Sequence, residues 1–398
     1  MMVTQSNQPK RKTSRRKSIR NFTQIPPCTQ QTFPRLQHKT YSLACYHEAR
    51  FTDRTRFSGM HPSSRVIEFL RLSPEPHRHV SEREIHALLS DRPADYLAFM
   101  RTRLEALASG ALELELPPKQ LFTDPQRTGD FRVMPCVTRD PDSVTKTVKL
   151  VGTNLIQHEV PDQITVGRAF ALHPRENFVT HTFEACLLSS ARTGACAALA
   201  RTLLAPQIRS LGIVGAGRVG WYAAVYTCAS QPPQELRFCD RDKSRAETAA
   251  RLLRELYPDI NVVATDLATT CAVDTLILAT TARESIVSPQ DTTATLTISL
   301  GADTDDQREL DNAWATAAEI YIDTQDSARF GDLHRWVDAG LLDSTRLTDM
   351  FSLLRSPVAQ NPTNRQVFVS TGSALFDNLT IAYLLERLQT PPRTTASG

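Results

Sequence analysis

Short apolar runs alternate with amphipathic stretches between residues 210 and 322, and this alternation is the clearest structural pattern in the chain. Short apolar runs bounded by turn residues are typical of buried strands, and the stretches between them have helical spacing. Strand–helix alternation of this kind indicates an α/β fold, a doubly wound parallel sheet with helices on both faces. The predicted strands are 210–214, 235–239, 260–264, 275–279, 295–300 and 319–322, and the predicted helices between them are 221–230 and 244–257.

The part of the chain before these strands has a different pattern. Ser81 and Glu84 have the spacing of a capping box and predict a helix start, and a second predicted helix ends at Gly110. An Ala-rich helix is predicted over 184–204, and an amphipathic helix over 372–388 near the end of the chain. Strand-like runs lie at 112–116, 131–136, 148–151 and 168–172. This mixture is typical of an α+β domain.

The segment GAGRVG, Gly215 to Gly220, joins the first predicted strand to a helix with GxGxxG spacing. Gly215 allows a tight turn, Gly217 lets the backbone approach a pyrophosphate, and Gly220 lets the helix pack on the strand. Asp240 ends the next strand, where a carboxylate binds ribose hydroxyls and repels a 2′-phosphate, so the sequence favours NAD over NADP. Three cations that follow closely, Arg241, Lys243 and Arg245, leave NADP open. The predicted cofactor-binding residues are Gly215, Ala216, Gly217, Arg218, Val219, Gly220, Asp240, Arg241, Thr280, Thr281 and Ser370.

Positive charge is concentrated at the amino end. Residues 1–20 carry seven Lys or Arg and no acid, and taking this +7 from the chain's +3 leaves the rest at −4, which argues against a basic nucleic-acid-binding body. Residues 1–64 are predicted to be a poorly folded leader: a disordered tail, an organelle-targeting peptide or an RNA- or lipid-contacting arm. Because the chain has neither a secretory apolar region nor a membrane-spanning run, we expect a cytoplasmic protein, with organelle targeting left open.

The eight cysteines contain no CxxC pair, and the ten histidines form no HExxH motif. Cysteines scattered through apolar stretches are typical of reduced core residues. The sequence therefore predicts neither a disulfide framework nor a metal site.

Four segments resemble the ornithine cyclodeaminase/μ-crystallin family: FRVMP with Arg132, KTVKLVG with Lys149, SSARTGACAA with Arg192 and LGADTDDQREL with Asp303. A fifth, VSTGSALFDNLTIA over 369–382, resembles the closing helix of the family. The resemblance covers the chain from about residue 80 to 390 in the family's order. It implies a Rossmann-type NAD-binding domain beside an α+β substrate and dimerisation domain, and a homodimer.

Within the family, one segment departs from the cyclodeaminases, which tend to have Met-Asp-Gly where this chain has Thr182 to Ala185. Glu184 and Ala185 followed by an apolar-Ser-Ser run resemble the branch that makes 2,3-diaminopropionate in siderophore and antibiotic pathways. Those N-(2-amino-2-carboxyethyl)-L-glutamate dehydrogenases oxidise a secondary amine with NAD, and the imine hydrolyses to 2-oxoglutarate and diaminopropionate. The usual Pro-Gly-Lys after the family's Asp is also replaced, by Thr304 to Gln307.

The resemblance implies roles for four residues. Arg132 and Arg192 are expected to grip the substrate carboxylate, because the planar guanidinium binds both oxygens. Lys149 is expected both to bind substrate and to act in catalysis by placing positive charge beside the carboxylate or the imine carbon. Asp303 follows a predicted strand at the carboxyl edge of the sheet, and is the expected catalytic acceptor of the amine proton.

The sequence thus predicts an NAD-dependent oxidoreductase acting on the C–N bond of a small amino acid, with no membrane partner and no nucleic-acid partner. Two alternatives stay open: an ornithine cyclodeaminase or imino-acid reductase, and a crystallin-like protein that binds the nucleotide without turnover. The predicted domains are the leader over 1–64, the first part of a substrate and dimerisation domain over 65–200, the NAD-binding domain over 201–325 and a return to the substrate domain over 326–390.

Overall fold

The computed structural model describes residues 64–123, 129–302, 304, 306–357 and 364–389. Nearly all of the predicted leader therefore lies outside the described residues. The chain divides into two units, Met1–Leu72 and Ser73–Gly398. Of the first unit, the structure describes only helix α1, Ser64–Leu70, and the turn that follows it.

The second unit begins with a seven-stranded sheet. Its strands are β1 (Arg78–Val80), β2 (Glu113–Glu115), β3 (Gln120–Thr123), β4 (Asp130–Arg139), β5 (Val144–Thr153), β6 (Thr165–Leu172) and β7 (Val179–Glu184). They follow the order β1-β7-β6-β5-β4-β2, with β3 also paired to β4, and only β1 and β7 run parallel. Strand β7 was not predicted because its polar run, Thr180 to Thr182, lacks an apolar period.

Two helices pack against the strands of this sheet, α2 (Glu82–Asp91) and α4 (Ala185–Leu204), and a third, α3 (Pro93–Ser109), packs against both of them. The predicted capping box of α2 is confirmed, since Ser81 and Glu84 bond reciprocally. Gly110 ends α3 in the left-handed conformation, with φ 79°. Helix α4 is almost entirely buried, because it also packs against the second sheet.

The second sheet is parallel throughout and contains eight strands: β8 (Ser210–Val214), β9 (Glu235–Cys239), β10 (Asn261–Ala264), β11 (Thr275–Leu278), β12 (Leu296–Ser299), β13 (Ala318–Ile322), β14 (Thr348–Asp349) and β15 (Arg365–Val369). Its helices are α5 (Arg218–Ser230), α6 (Lys243–Leu256), α7 (Leu267–Cys271), α8 (Trp314–Ala317), α9 (Gly331–Asp338) and α10 (Met350–Arg355). The order β10-β9-β8-β11-β12-β15-β13-β14 reverses direction between β8 and β11. This confirms the predicted Rossmann-type α/β fold, in which ligands bind where the order reverses.

The carboxyl-terminal part differs from the prediction in detail. Residues up to Val369 stay in the second sheet, because β15 pairs with both β12 and β13, so the return to the first sheet comes later than residue 326. Only the last helix, α11 (Ala374–Gln389), packs against β4 and β5 as expected. The division into domains as a whole stays a prediction.

None of the helices in the described part of the chain is long and apolar enough to cross a membrane. The cysteines there are free thiols: Cys136, Cys186, Cys196, Cys228, Cys239 and Cys271.

Candidate active site

The GxGxxG turn lies at the carboxyl end of β8, beside the point where the strand order reverses. Gly215 has φ +102°, and a Cβ there would lie 2.3 Å from the carbonyl oxygen of Ala279 after β11, so the two loops are in contact. A Cβ at Gly220 would lie 2.0 Å from the oxygen of Gly215. At Gly217, the N-cap of α5, a Cβ would meet no atom within 4 Å. This open space at a helix N-terminus fits the pyrophosphate of a dinucleotide.

Asp240 stands at the end of β9, next to the glycine turn. Its Oδ2 accepts a hydrogen bond from the backbone N–H of Ala216 at 2.7 Å, and its Oδ1 accepts one from Asp242 at 2.9 Å. Each carboxylate oxygen has two lone pairs, so Asp240 can still accept from ribose hydroxyls. Arg241 is exposed beside it. The residues present therefore fit NAD, although the individual contacts stay predictions.

Arg218, in the same turn, joins the nucleotide loop to the first sheet's helices. Its Nη1 donates to both carboxylate oxygens of Glu82 on α2, at 2.9 and 3.0 Å. Glu82 Oε1 also accepts from the backbone N–H of Leu187 near the start of α4, at 3.1 Å. The guanidinium therefore has a protein partner in this structure, and a contact of Arg218 with the cofactor stays a prediction.

Glu309, which the sequence reasoning missed, ties together the loops after β11 and β12. It is fully buried. Its Oε1 accepts from the backbone N–H and hydroxyl of Thr280 at 2.6 and 3.0 Å. Its Oε2 accepts from the Ser299 hydroxyl at 2.7 Å, and from the N–H groups of Leu300 and Gly301 at 3.1 and 2.8 Å. Burial raises the pKa of Glu309, and these hydrogen bonds oppose the rise.

The substrate side of the site is a buried ion cluster around Asp377 on α11. Lys149 Nζ on β5 lies 2.6 Å from Asp377 Oδ2, and Arg192 Nε on α4 lies 3.0 Å from Oδ1. The Lys149 ammonium also donates to Ser189 Oγ at 3.1 Å. Two of the predicted substrate-binding residues, Lys149 and Arg192, therefore meet on one carboxylate that was not predicted.

Burial and neighbouring charges shift the pKa values of two members of this cluster, Lys149 and Asp377. Burial lowers the pKa of Lys149 to about 8, with Asp377 opposing the shift and Arg192 adding to it. Burial pushes the pKa of Asp377 upward, but the Lys149 and Arg192 cations outweigh it and hold that pKa below its usual value. A lysine that titrates near neutrality can change charge within the working pH range of an enzyme.

Arg132 lies on the strand next to Lys149. In the register of β4 and β5, Met134 faces Lys149 and Arg132 faces Val151, so both cationic side chains project from the same face of the sheet. Arg132 Nη2 lies 3.0 Å from Asp130 Oδ2, and its charge contributes to lowering the pKa of Lys149. Arg132, the third predicted substrate-binding residue, is thus close to the ion cluster but is paired with a different carboxylate, Asp130.

The loop after β15 connects the ion cluster to the carboxyl edge of the second sheet. Gly372 has φ +83°, and a Cβ there would lie 2.9 Å from Arg192 Nη2. Ser370 is buried, and its hydroxyl donates to Asp323 Oδ2 at 2.7 Å. Arg192 therefore lies beside the edge at which the nucleotide loops end, whereas a cofactor contact of Ser370 stays a prediction.

Asp303 lies outside the described residues, so its predicted catalytic role is not tested. Its neighbour Ala302 is buried, in the loop that follows β12, and Glu309 holds the start of that loop at Gly301. Thr281, also predicted to contact the cofactor, follows Thr280 and is exposed.

Of the two residues that were not predicted, Asp377 has a weak signal in the sequence and Glu309 has none. Asp377 is an acid in the otherwise mainly apolar stretch ALFDNLTIAYLL, where an apolar helix face predicts burial. A buried acid needs cationic or hydrogen-bonding partners, so that position could have been singled out. Glu309 follows three other acids, a pattern typical of a solvent-exposed loop, so nothing in the sequence distinguishes it as a buried residue.

An open glycine turn at the switch point of a parallel sheet is typical of a nucleotide-binding α/β protein, and buried cations lie nearby. Comparison with known proteins gives the family. The model of the ornithine cyclodeaminase/mu-crystallin family matches residues 82–390, and the chain belongs to this family.

Individual relatives agree with this assignment. The chain is 28% identical over 282 residues to the L-lysine cyclodeaminase of Streptomyces rapamycinicus, covering 68% of this chain and 79% of the relative. Its fold is similar to that of Thermococcus litoralis Δ1-pyrroline-2-carboxylate reductase in complex with NADH and L-proline (TM-score 0.70, 19% identity, 78% of this chain and 96% of the other). It is also similar to an archaeal alanine dehydrogenase dimer with bound NAD (TM-score 0.68, 18% identity, 78% and 95%).

These findings confirm the predicted family, the α/β fold and an enzyme of the ornithine cyclodeaminase family. Both structural relatives hold a nicotinamide cofactor, in agreement with the predicted NAD. The branch within the family stays a prediction.

Proposed function

We propose that this protein is an NAD-dependent oxidoreductase that acts on the C–N bond of an amino acid. The observation that carries the proposal is the meeting of Lys149 and Arg192 beside the carboxyl edge of a nucleotide-binding sheet. Two buried cations at this edge suit the carboxylate of an amino acid. When bound, NAD supplies a hydride acceptor.

The residues of the chain divide the remaining tasks. The Nη edge of Arg192 and the Lys149 ammonium bind the substrate carboxylate and orient Cα toward the nucleotide crevice. Arg132 adds positive charge on the same face of the sheet. Asp303 accepts the proton that the substrate nitrogen loses as Cα gives up its hydride, and it directs water to the carbon of the resulting imine.

For the particular substrate we propose a secondary amine, such as N-(2-amino-2-carboxyethyl)-L-glutamate. Removal of one hydride and one proton gives an imine, and addition of water cleaves it to 2,3-diaminopropionate and 2-oxoglutarate. Support for this choice comes from the segment around Glu184, which resembles the diaminopropionate-forming branch. In the structure Glu184 accepts a hydrogen bond from the backbone N–H of Glu82 at 2.9 Å, so its carboxylate takes part in packing α2 against β7.

The second candidate is a cyclodeaminase or an imino-acid reductase. The similarity to an L-lysine cyclodeaminase over 68% of this chain favours it. In a cyclodeaminase the same carboxylate clamp holds a diamino acid, and the nucleotide is restored within each turnover, so no net NADH accumulates.

A panel of amino acids incubated with NAD separates the candidates. N-(2-amino-2-carboxyethyl)-L-glutamate, L-ornithine and L-lysine would be compared, with NADH, ammonia and keto acid measured together. Stoichiometric NADH and 2-oxoglutarate support the dehydrogenase, and ammonia without net NADH supports the cyclodeaminase. Binding of NAD with none of these products contradicts the enzymatic proposal and leaves a crystallin-like nucleotide-binding protein.

We also propose that the protein is a homodimer formed through the outer face of the seven-stranded sheet. Phe122 and Phe131 stack there with ring centroids 4.7 Å apart, although each is nearly half exposed, at 45% and 48%. Leu150 lies on the same face and is 42% exposed. Contiguous exposed apolar side chains of this kind favour burial against a second copy.

Light scattering coupled to size exclusion tests the dimer. We expect twice the 44.4 kDa mass of the chain for the natural protein, and a shift toward monomer for Leu150→Asp. Glu247→Lys on the exposed face of α6 is the matched control. A monomeric natural protein at micromolar concentration contradicts the proposal.

A further inference from the structure

Asp377 is a buried carboxylate that the proposed chemistry does not use. It is 1% exposed and lies between two cations on different elements, Lys149 on β5 and Arg192 on α4. Since the two cations are the proposed partners of the substrate carboxylate, Asp377 either competes with the substrate or holds the cations in place for it. The geometry of the contacts distinguishes these alternatives.

The contact with Arg192 uses the inner edge of the guanidinium. In the described part of the chain, the only hydrogen bond or ion pair of the Arg192 side chain runs from Nε to Asp377 Oδ1. The two terminal nitrogens, which form the fork that binds a carboxylate, are left for a ligand. A carboxylate that competed with the substrate would take this outer fork instead.

The loop before α11 places no side chain beside the outer fork. Gly372 lies against it, and a Cβ at this position would come within 2.9 Å of Nη2 and 3.2 Å of Nη1. Its φ of +83° is also one that favours glycine. A residue with a side chain here would crowd the two nitrogens that Asp377 does not use.

Asp377 is itself held rigidly by the next residue. Asn378 is fully buried and donates to the backbone oxygens of Cys136 and Thr145, at 3.2 and 3.0 Å. It also accepts from the Thr138 hydroxyl at 2.8 Å. These bonds fix the amino-terminal part of α11 to both β4 and β5. Because α11, β5 and α4 come from distant parts of the chain, the two ion pairs of Asp377 hold these three elements together.

We infer that Asp377 is a positioning residue, an internal counter-ion that orients Lys149 and Arg192 so that their remaining donors face the substrate carboxylate. The inference rests on the proposed function, because it takes these two cations as the substrate clamp. Beyond that function, it assigns to α11 the role of holding the two cations in the orientation that binds the substrate carboxylate.

The first test needs no substrate and is an NMR titration of Lys149. The charged groups around Lys149 are Asp377 from α11, Arg192 from α4 and Arg132 from β4, with Cys136 on β4 and Tyr96 on α3 the other titratable groups facing the cluster. Removing the one anion among them lowers the pKa of Lys149 in Asp377→Asn, below the value of about 8 in the natural protein. An unchanged Lys149 titration in a folded Asp377→Asn protein overturns the inference.

The second test uses whichever substrate the amino-acid panel finds. We expect Asp377→Asn to raise KM roughly 10- to 100-fold, the range in which outer partners of ligand-binding residues act, with a much smaller change in kcat. The alkaline limb of kcat/KM moves to lower pH with the Lys149 pKa. A lower KM would show that Asp377 competes with the substrate, and would overturn the inference.

Asp332→Asn is the matched control. Asp332 is another buried carboxylate, and it accepts from the backbone N–H groups of Glu309 and Leu310 without contacting the clamp. We expect this variant to lose stability without moving the Lys149 titration.

If Asp377→Asn does not fold, carboxylate NMR of the natural protein decides the matter. Asp377 must be ionised across pH 6 to 9, and a neutral Asp377 overturns the inference. Failure of every amino acid in the panel would contradict the proposed function while both NMR titrations still report on Asp377.

Discussion

Asp377 and Glu309 are both buried carboxylates, but their surroundings differ. Asp377 lies between two cations, whereas Glu309 accepts hydrogen bonds from neutral donors. The first lies where α11 meets β5 and α4, and the second where the loops after β11 and β12 meet. Their pKa values move in opposite directions, because cations outweigh the burial of Asp377, and dipoles do not outweigh the burial of Glu309.

The difference corresponds to two uses of buried charge. The cations around Asp377 keep donors that Asp377 does not use, and the proposed function assigns these donors to the substrate carboxylate. Both oxygens of Glu309 are engaged by five donors from its own fold, so this carboxylate fixes loop geometry and does not itself take a ligand. Asp377 therefore orients two cations, whereas Glu309 fixes two loops.

Glu309→Ala tests the rigid region and has the largest expected effect. It leaves the N–H groups of Thr280 and Gly301 buried without their acceptor, so we expect the free energy of unfolding to fall by at least about 3 kcal/mol. Denaturant unfolding measures this loss. Glu247→Ala, on the exposed face of α6, should change it by less than about 0.5 kcal/mol. Equal stability of the two variants would remove the contrast between the regions.

Arg192→Lys tests the binding region. Lysine keeps the charge but loses the planar fork, so we expect kcat/KM for the amino acid to fall roughly 100-fold. The affinity for NADH, measured by fluorescence, should change little, because Arg192 acts on the substrate side. A parallel loss of NADH affinity would mean that the two regions are not separable.

The pH dependence of substrate binding sharpens the same contrast. Lys149 attracts a carboxylate only when protonated, and its pKa is about 8. KM should therefore be constant below that pH and rise up to about tenfold per pH unit above it. Steady-state kinetics from pH 6 to 10 would reveal this limb. It should disappear in an active Lys149→Arg variant, because arginine stays charged throughout; a limb retained there would belong to another group.

Asp240→Ala extends the comparison to a partly exposed carboxylate and has the smallest expected effect. Loss of the ribose partner should weaken NAD binding by roughly tenfold and relax discrimination against NADP. Titration of both nucleotides by calorimetry checks this. An unchanged preference would place the ribose contact on another residue.

Local patterns were enough to predict much of the second sheet. Strands β8 and β9 were predicted to the residue, and the capping box at Ser81 was confirmed, because each depends on neighbours within a few positions. Strand β15 was missed, since the last strand was expected at 319–322. Its place between β12 and β13 depends on pairing with segments far away in the chain, which no local period records.

In the candidate site, too, local features were predictable from the sequence and long-range contacts were not. The sequence by itself determined the glycine turn and the acid that follows it, because residue type and short spacing encode backbone freedom and charge. Arg132, Lys149 and Arg192 were singled out only by the resemblance of their segments to the family. Only the tertiary structure decided that Lys149 and Arg192 meet on Asp377 and that Glu309 joins two loops. These contacts link residues far apart in sequence, and their energies depend on burial, which arises only when the sheets and helices have packed together.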